Sequence, residues 1–423
     1  MKLSSTFYKA FFGISLLGLL VFIALYFTNP EANLLGVPLI LAFVALAIAF
    51  TGYKALSGFS YTIWIFAAVV TSMFYPDLFL QYGDFKLTAL IVPLLQIIMF
   101  GMGTAMSLQD FVGVIKMPRG VLIGIICQFT IMPFVGFSVA WLFGFPPEIA
   151  AGIILVGSSP SGLASNVMAF IAKANIALSV TLTACATLLA PIMTPFLMEN
   201  LAGQYVPIDF WGMMWSIFRM VILPIVAGLL FHFAAHQANK KSIRKVLGIV
   251  ASIFALVYFG TQFLQYAWLS ELLVFTVVIF GVTLLAWNLQ KFASKLENIM
   301  PLVSMIGIAV IITIITASGR DNLLTIGLAL ILACFIHNMF GYFLGYSFCK
   351  IMRMDEASCR TIALEVGLQN GGLASGLALE MGKVATVGLA PAVFGPMMNI
   401  TGSSLATWWR GKPVVEEKEL EKV

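Results

Sequence analysis

Long apolar runs, separated by short polar or charged joints, set the pattern of this chain. Runs of spanning length fall near 10–28, 35–53, 60–76, 87–107, 120–143, 147–171, 176–198, 213–234, 246–266, 270–287, 299–317, 323–347, 359–381 and 385–408. That is about fourteen, each near the ~20 residues that a helix needs to cross a bilayer. In lipid every backbone N–H and C=O must be met inside the protein, so such runs are expected as helices. The least uniform are 60–76 and 270–287, where polar or aromatic residues cluster.

The joints alternate in charge. Lys54, then Lys116 and Arg119, then Lys173, then Lys240, Lys241, Arg244 and Lys245, then Lys291 and Lys295, then Lys350, Arg353 and Arg360 fall in alternate joints. The tail adds Arg410, Lys412, Lys418 and Lys422. The joints between carry Glu31, Asp77, Asp84, Glu148, Glu199 and Asp209, with Lys86, Lys383 and Arg320 beside Asp321 as exceptions. Cytoplasmic loops are enriched in Lys and Arg, so both termini are expected in the cytoplasm of a multi-pass protein of the cell (inner) membrane. Lys2 and Lys9 precede an apolar run as in a signal peptide. No small-x-small cleavage site follows, and the run reads as a retained first span.

Composition agrees. The chain is 61% hydrophobic and 10% charged, with 36 Gly, 36 Phe and 21 Met, and its mean hydropathy is +1.02. A polytopic membrane protein fits these values, and a soluble core does not. The net charge of +5 belongs to cytoplasmic loops and needs no nucleic-acid partner. Cys127, Cys185, Cys334, Cys349 and Cys359 are scattered, with no metal or disulfide spacing. His232 and His236, four apart near a cytoplasmic helix end, read as surface histidines. His337, beside Asn338 within a run, reads as a bond between helices. The Glu416-Glu417-Lys418-Glu419 stretch reads as a solvated end.

A faint internal repeat interrupts the runs. Ser161-Gly162-Leu163-Ala164-Ser165-Asn166 echoes Gly371-Gly372-Leu373-Ala374-Ser375-Gly376, and each is followed by an Ala-Pro helix, at Ala190-Pro191 and Ala390-Pro391. Small residues of this kind also serve ordinary helix packing. Paired Gly-rich interruptions in corresponding halves point to a transporter's binding site. Between Gly157 and Asn166 the chain has two Gly, one Pro and four Ser. The backbone groups freed there must be met by side chains, water or a ligand.

The chemistry centres on Glu365, in Ala363-Leu364-Glu365-Val366-Gly367-Leu368-Gln369-Asn370. A carboxylate at membrane depth is costly and marks a functional site. Gln369 and Asn370 supply neutral oxygens, and Gly367, Gly371 and Gly372 weaken the helix. Ser179 and Thr183, four apart, share a helix face. Each alone could bond the carbonyl one turn back. As a set with Ser165, Asn166 and Glu365 they read as a cage for a hard monovalent cation, Na⁺. There is no carboxylate cluster for Ca²⁺ and no His/Cys set for a transition metal.

Three motifs carry a resemblance. Ile97-Ile98-Met99-Phe100-Gly101-Met102-Gly103, then Ala164-Ser165-Asn166-Val167-Met168 with Ala177 to Thr183, then Glu365-Val366-Gly367-Leu368-Gln369-Asn370 resemble the bile acid:sodium symporter family over about 60–235 and 297–410. The resemblance implies an all-α fold of two inverted five-helix repeats, forming a panel domain and a core domain with two crossed broken helices. It also implies Na⁺-coupled uptake of organic anions by alternating access, with two ions. A first sodium site would use Ser165, Asn166, Ser179, Thr183 and Glu365. A second would use the side chains of Gln128 and Gln369, with backbone around Glu365, Val366 and Leu368. Leu163, Ser161, Asn370, Asn399 and Met398 would face the substrate.

The chain departs from the family pattern in places. Leu163 stands where the family more usually has threonine, and Met398-Asn399 stands for His-Asn. Bile acid is therefore an open question as the physiological substrate, and a small organic anion is expected. Two extra pairs of spans make ten into fourteen. The expected division is an N-terminal pair in 1–56, a first repeat with the start of the second in 57–235, an inserted pair in 236–296, the rest of the second repeat in 297–410 and a cytoplasmic tail in 411–423. Packing or oligomer contact is the role expected of the extra helices. Two other readings remain. One is a metalloid or organic-ion efflux carrier of related fold using Cys185. The other is an intramembrane hydrolase using Ser158, Ser159, Ser161 or Ser165, for which no His or acid is placed as base. No nucleotide-binding loop is present.

Overall fold

A computed structural model describes residues 5–29, 34–53, 56–107, 109–236, 240–264 and 266–412. Lys2, Glu31, Lys54 and the acidic tail therefore lie outside the described residues. The chain runs through α1 (Ser5–Thr28), α2 (Gly36–Thr51), α3 (Ser60–Phe74) and the single turn α4 (Asp77–Leu80). A two-stranded hairpin follows, with Gln81 paired to Lys86 and Tyr82 to Phe85. Gly83 at φ +57° supplies its left-handed turn position. Next come α5 (Ile91–Thr104), the turn α6 (Gly113–Lys116), α7 (Pro118–Phe143), α8 (Pro147–Ser158), α9 (Ala164–Ile171) and α10 (Ile176–Leu197). The rest comprises α11 (Phe210–Ile217), α12 (Leu223–His236), α13 (Lys240–Leu264), α14 (Ala267–Asn288), α15 (Gln290–Ser318), α16 (Arg320–Ile351), α17 (Glu356–Gly367), α18 (Gly371–Glu380) and α19 (Leu389–Arg410).

Helix occupies every apolar run read from the sequence. Among the described residues, ten helical stretches are long and apolar enough to cross a membrane. The other four runs differ for physical reasons. The run 35–53 is the 16-residue helix α2. The runs 147–171 and 359–381 are each broken, into α8 with α9 and α17 with α18. The last, α19, is 22 residues long and is diluted by Asn399, Thr401, Ser403 and Ser404.

Two bundles share the work of burial. In one, α5 packs on α12 and α15, and α15 on α3; α1 and α2 extend this bundle on one side and α13 and α14 on another. In the other, α7 packs on α8, α10, α16 and α17, and α19 packs on α8, α9 and α16. Close backbone approach holds the first bundle. A Cβ on Gly228 would sit 2.1 Å from the Phe100 carbonyl, and one on Gly103 would sit 2.2 Å from that of Ile225. Small residues at such contacts let helices gain packing that lipid cannot supply.

Between α11 and α12 the helix widens into a π turn at Phe218–Ile222. Pro224 has no N–H for the Met220 carbonyl one turn back, which loosens the ladder there. Two basic exceptions in the charge pattern are held by partners: Lys383 pairs with Glu148, and Arg320 donates to the Met73 carbonyl at 2.6 Å.

Candidate functional site

The two broken helices meet at their breaks. Ser159 is extended after α8, and Leu368 is extended after α17. Ser161 and Gln369 form an isolated antiparallel bridge. Gly162 N–H donates to the Leu368 carbonyl at 3.0 Å, and Asn370 N–H donates to that of Pro160 at 2.8 Å. A Cβ on Gly162 would lie 3.0 Å from the Gln369 carbonyl, so little more than glycine fits at the crossing.

Side chains from three helices meet the other freed carbonyls. Thr194 Oγ1 on α10 donates to Ser158 at 2.7 Å. Gln128 Nε2 on α7 donates to Ser159 at 2.9 Å. Asn338 Nδ2 on α16 donates to Gly367 at 2.8 Å. Unmet polar groups at this depth cost several kcal/mol each in lipid, so these bonds are what permits the breaks. The Asn338 amide oxygen in turn accepts from Thr401 at 2.6 Å. His337 Nε2 lies 2.9 Å from the Met132 carbonyl, joining α16 to α7.

Glu365 is 3% exposed, on the last turns of α17. Three hydroxyls converge on its carboxylate: Ser179 on Oε1 at 2.5 Å, and Ser161 and Thr183 on Oε2 at 2.6 and 2.8 Å. The Asn166 amide oxygen also lies 2.8 Å from Ser179 Oγ and 3.3 Å from Thr183 Oγ1, within reach of the same two hydroxyls. Ser165 Oγ lies 3.4 Å from Thr183 Oγ1 and donates to the Gly162 carbonyl at 2.8 Å. The bonds of Ser179 and Thr183 thus run across the site, to Glu365 and Asn166. Their neighbour Thr181 does bond one turn back, to Ala177. The chemistry of the set follows from counting protons. Seven side-chain oxygens from Ser161, Ser165, Asn166, Ser179, Thr183 and Glu365 hold one proton per hydroxyl. Each hydroxyl can rotate its proton away and offer a lone pair instead.

A second polar cluster adjoins it. Gln128 Nε2 also donates to Gln369 Oε1 at 2.9 Å, and Gln369 Nε2 donates to the Val366 carbonyl at 2.5 Å. Among the described residues, Gln128 Oε1 is buried with no hydrogen-bond partner, as is Ser158 Oγ. An orphaned acceptor at this depth is costly unless something positive meets it.

The remaining candidates lie at the crossing, at the start of α9, on α10 and on α19. Asn370 caps α18, its Oδ1 accepting from the Leu373 amide at 3.0 Å. Leu163, half-buried, stands at the N-cap of α9. Ser161, grouped with the substrate side, bonds Glu365. Met398 and Asn399 lie on α19, where the Met398 carbonyl accepts from Tyr342 Oη at 3.4 Å. Cys185 is a half-buried free thiol packed against the core. Two residues beyond Thr183, it falls on a different helix face.

A further polar node was not singled out in the sequence. Arg219, on the π turn, pairs with Glu271 of α14 at 3.2 Å and with Glu380 at the end of α18 at 2.9 Å. Trp215 Nε1 donates to Glu271 at 3.3 Å, and Ser216 donates to Glu380 at 3.2 Å. A basic residue inside the run 213–234 was the available signal.

Comparison with known proteins identifies relatives of this chain. Residues 92–268 match the model of the Sodium Bile acid symporter family. The uncharacterized sodium-dependent transporter YocS of Bacillus subtilis (strain 168) is 35% identical over 84% of this chain and 92% of its own. The probable sodium/metabolite cotransporter BASS1, chloroplastic, of Arabidopsis thaliana is 32% identical over 75% of this chain and 65% of its own. The ileal sodium/bile acid cotransporter of Oryctolagus cuniculus is 29% identical over 68% of this chain and 69% of its own. The relatives are transporters, not enzymes. With such identity along nearly all of one relative, and the family pattern running through both polar clusters' first halves, the chain belongs to the sodium bile acid symporter family.

Proposed function

We propose that this protein carries a small organic anion across the cell membrane together with Na⁺, by alternating access. The observation that carries the reading is the buried Glu365 carboxylate, gathered with three hydroxyls and an amide oxygen at the crossing of two broken helices. One full negative charge among neutral oxygens suits a hard monovalent cation, whereas Ca²⁺ draws on several carboxylates. Ser165, Asn166, Ser179, Thr183 and Glu365 would hold one ion. Gln128 and Gln369, with backbone at Glu365, Val366 and Leu368, would hold a second, which the orphaned Gln128 Oε1 supports.

In this reading the α5–α12–α15 bundle is the panel and the α7–α10, α16–α19 bundle is the core. The chain crosses the membrane fourteen times with both termini cytoplasmic, in two inverted repeats plus the α1–α2 and α13–α14 pairs. The half-helices α9 and α18 begin at the crossing, and the positive ends of their dipoles favour an anion. Leu163 and Met398 would face its apolar body, and Asn370 and Asn399 its polar end, with Ser161 between the ion and the substrate. The bilayer is the other partner.

The test is uptake into proteoliposomes under a Na⁺ or a K⁺ gradient, across anionic, neutral and cationic candidates. Na⁺-driven uptake of an anion, lost in Glu365→Gln while that variant stays folded and monodisperse, is expected. Preferential uptake of a cation or a neutral sugar would overturn the anion. Unchanged Na⁺ dependence in Glu365→Gln would overturn the coupling site.

A further inference from the structure

His232 and His236 lie one turn apart at the end of α12. Glu297, on the third turn of α15, joins them from across the insertion. Among the described residues this is the one group of three His, Cys, Asp or Glu side chains whose ligand atoms all lie within 4.8 Å of one another. His232 Nδ1 is 3.2 Å from Glu297 Oε1, and His236 Nε2 is 3.6 Å from Glu297 Oε2. The two rings lie 4.4 Å apart, 35° from parallel.

The geometry of His236 is informative. Its Nδ1 lies 3.1 Å from the His232 backbone carbonyl. A carbonyl only accepts, so Nδ1 carries the proton of this bond. In the neutral ring Nε2 then presents a lone pair toward a carboxylate oxygen. At 3.6 Å that pair is longer than an ordinary N–H···O bond of about 2.7–3.2 Å. It is close to the separation of two ligands on one tetrahedral ion, about 3.3 Å for bonds of about 2.0–2.1 Å. A backbone carbonyl that fixes the tautomer and aims the other nitrogen is also how metal-binding histidines are oriented.

We propose that His232, His236 and Glu297 bind a divalent transition-metal ion of the Zn²⁺ type, which clasps α12 to α15 at the base of the inserted helices α13 and α14. Two imidazoles and one carboxylate suit such an ion, whereas Mg²⁺ and Ca²⁺ prefer oxygen alone. Glu297 is 12% exposed and His236 51%, so the carboxylate forms the floor of the site and a water can complete the coordination on the open side. The cluster is remote in sequence from Glu365 and its ligands and requires no part in transport.

The test uses the full chain, purified without a polyhistidine tag and stripped by chelator. Zn²⁺ titration with metal analysis should give one tight ion per chain and a rise in Tm, which Mg²⁺ does not reproduce. Co²⁺ should give the visible absorption of a four- or five-coordinate nitrogen and oxygen site. The double variant His232→Ala/His236→Ala should lose at least about tenfold in Zn²⁺ affinity while keeping Na⁺-driven uptake. Zn²⁺ affinity kept in the double variant would overturn the assignment of these ligands, whether or not uptake survives. If the double variant does not fold, the wild-type Co²⁺ spectrum decides. An octahedral, weakly absorbing Co²⁺ spectrum, or equal Zn²⁺ binding by a folded double variant, would overturn the site.

Discussion

Gln128 and Gln369, 241 residues apart in the chain, are joined amide to amide at 2.9 Å. The bond leaves one amide oxygen, Gln128 Oε1, without a partner among the described residues. Gln128→Leu removes that orphan and the donor that meets Ser159. If Gln128 helps hold a second ion, the variant should turn sigmoidal Na⁺ dependence of uptake into a hyperbolic one. Sigmoidal dependence retained at normal transport rate would place Gln128 outside the ion path.

Thr183 Oγ1 touches Glu365, Asn166 and Ser165. Thr183→Val keeps the shape and deletes the oxygen. The expected cost is about 1–2 kcal/mol of Na⁺ binding, roughly five- to thirtyfold in affinity. Na⁺ titrations followed by thermal shift measure it. A variant that loses stability equally in Na⁺ and in K⁺ would show the hydroxyl to be structural.

Leu163 stands at the entry to α9 and is only half-buried. Leu163→Thr should change the ranking of transported anions toward more polar ones and leave the Na⁺ requirement in place. Competition uptake with a panel of carboxylates and sulfonates reads this out. An unchanged ranking would take Leu163 out of the substrate path.

The first helix pair is peripheral. The most apolar window of α1 has no residue buried inside the protein, and α1 packs on α2, which packs on α3. Ser60 donates to the Ala47 carbonyl at 2.8 Å across that seam. Removal of residues 1–56 should leave Na⁺ binding measurable and the C-terminus on its original side, with a lower Tm. A monodisperse truncated protein without Na⁺ binding would make these helices part of the working core.

The apolar runs were legible because each helix buried in lipid must be apolar nearly all round, which no turn chemistry can disguise. Glu365 was legible because a lone acid in such a run has few structural uses. The breaks at 157–162 and 367–372 announced themselves through Gly, Pro and Ser. What the chain did not disclose was direction. Ser161 looked like a neighbour of Leu163, yet its hydroxyl turns to Glu365, 204 residues on. His232 and His236 read as surface residues in the sequence, but their partner Glu297 comes only after the inserted pair. Arg219 lies inside an apolar run, and its two carboxylates come from the distant helices α14 and α18. Each of these is a meeting across distant sequence, and local periodicity carries no trace of it.

Arg219 also says something about the inserted pair. Its guanidinium grips Glu271, at the start of α14, with one hand and Glu380, at the tip of a broken helix, with the other. One guanidinium divides its donors between two acids, so its charge is shared between α14 and α18. Helix α14, from the inserted pair, is thereby tied to the end of a segment that begins at the crossing.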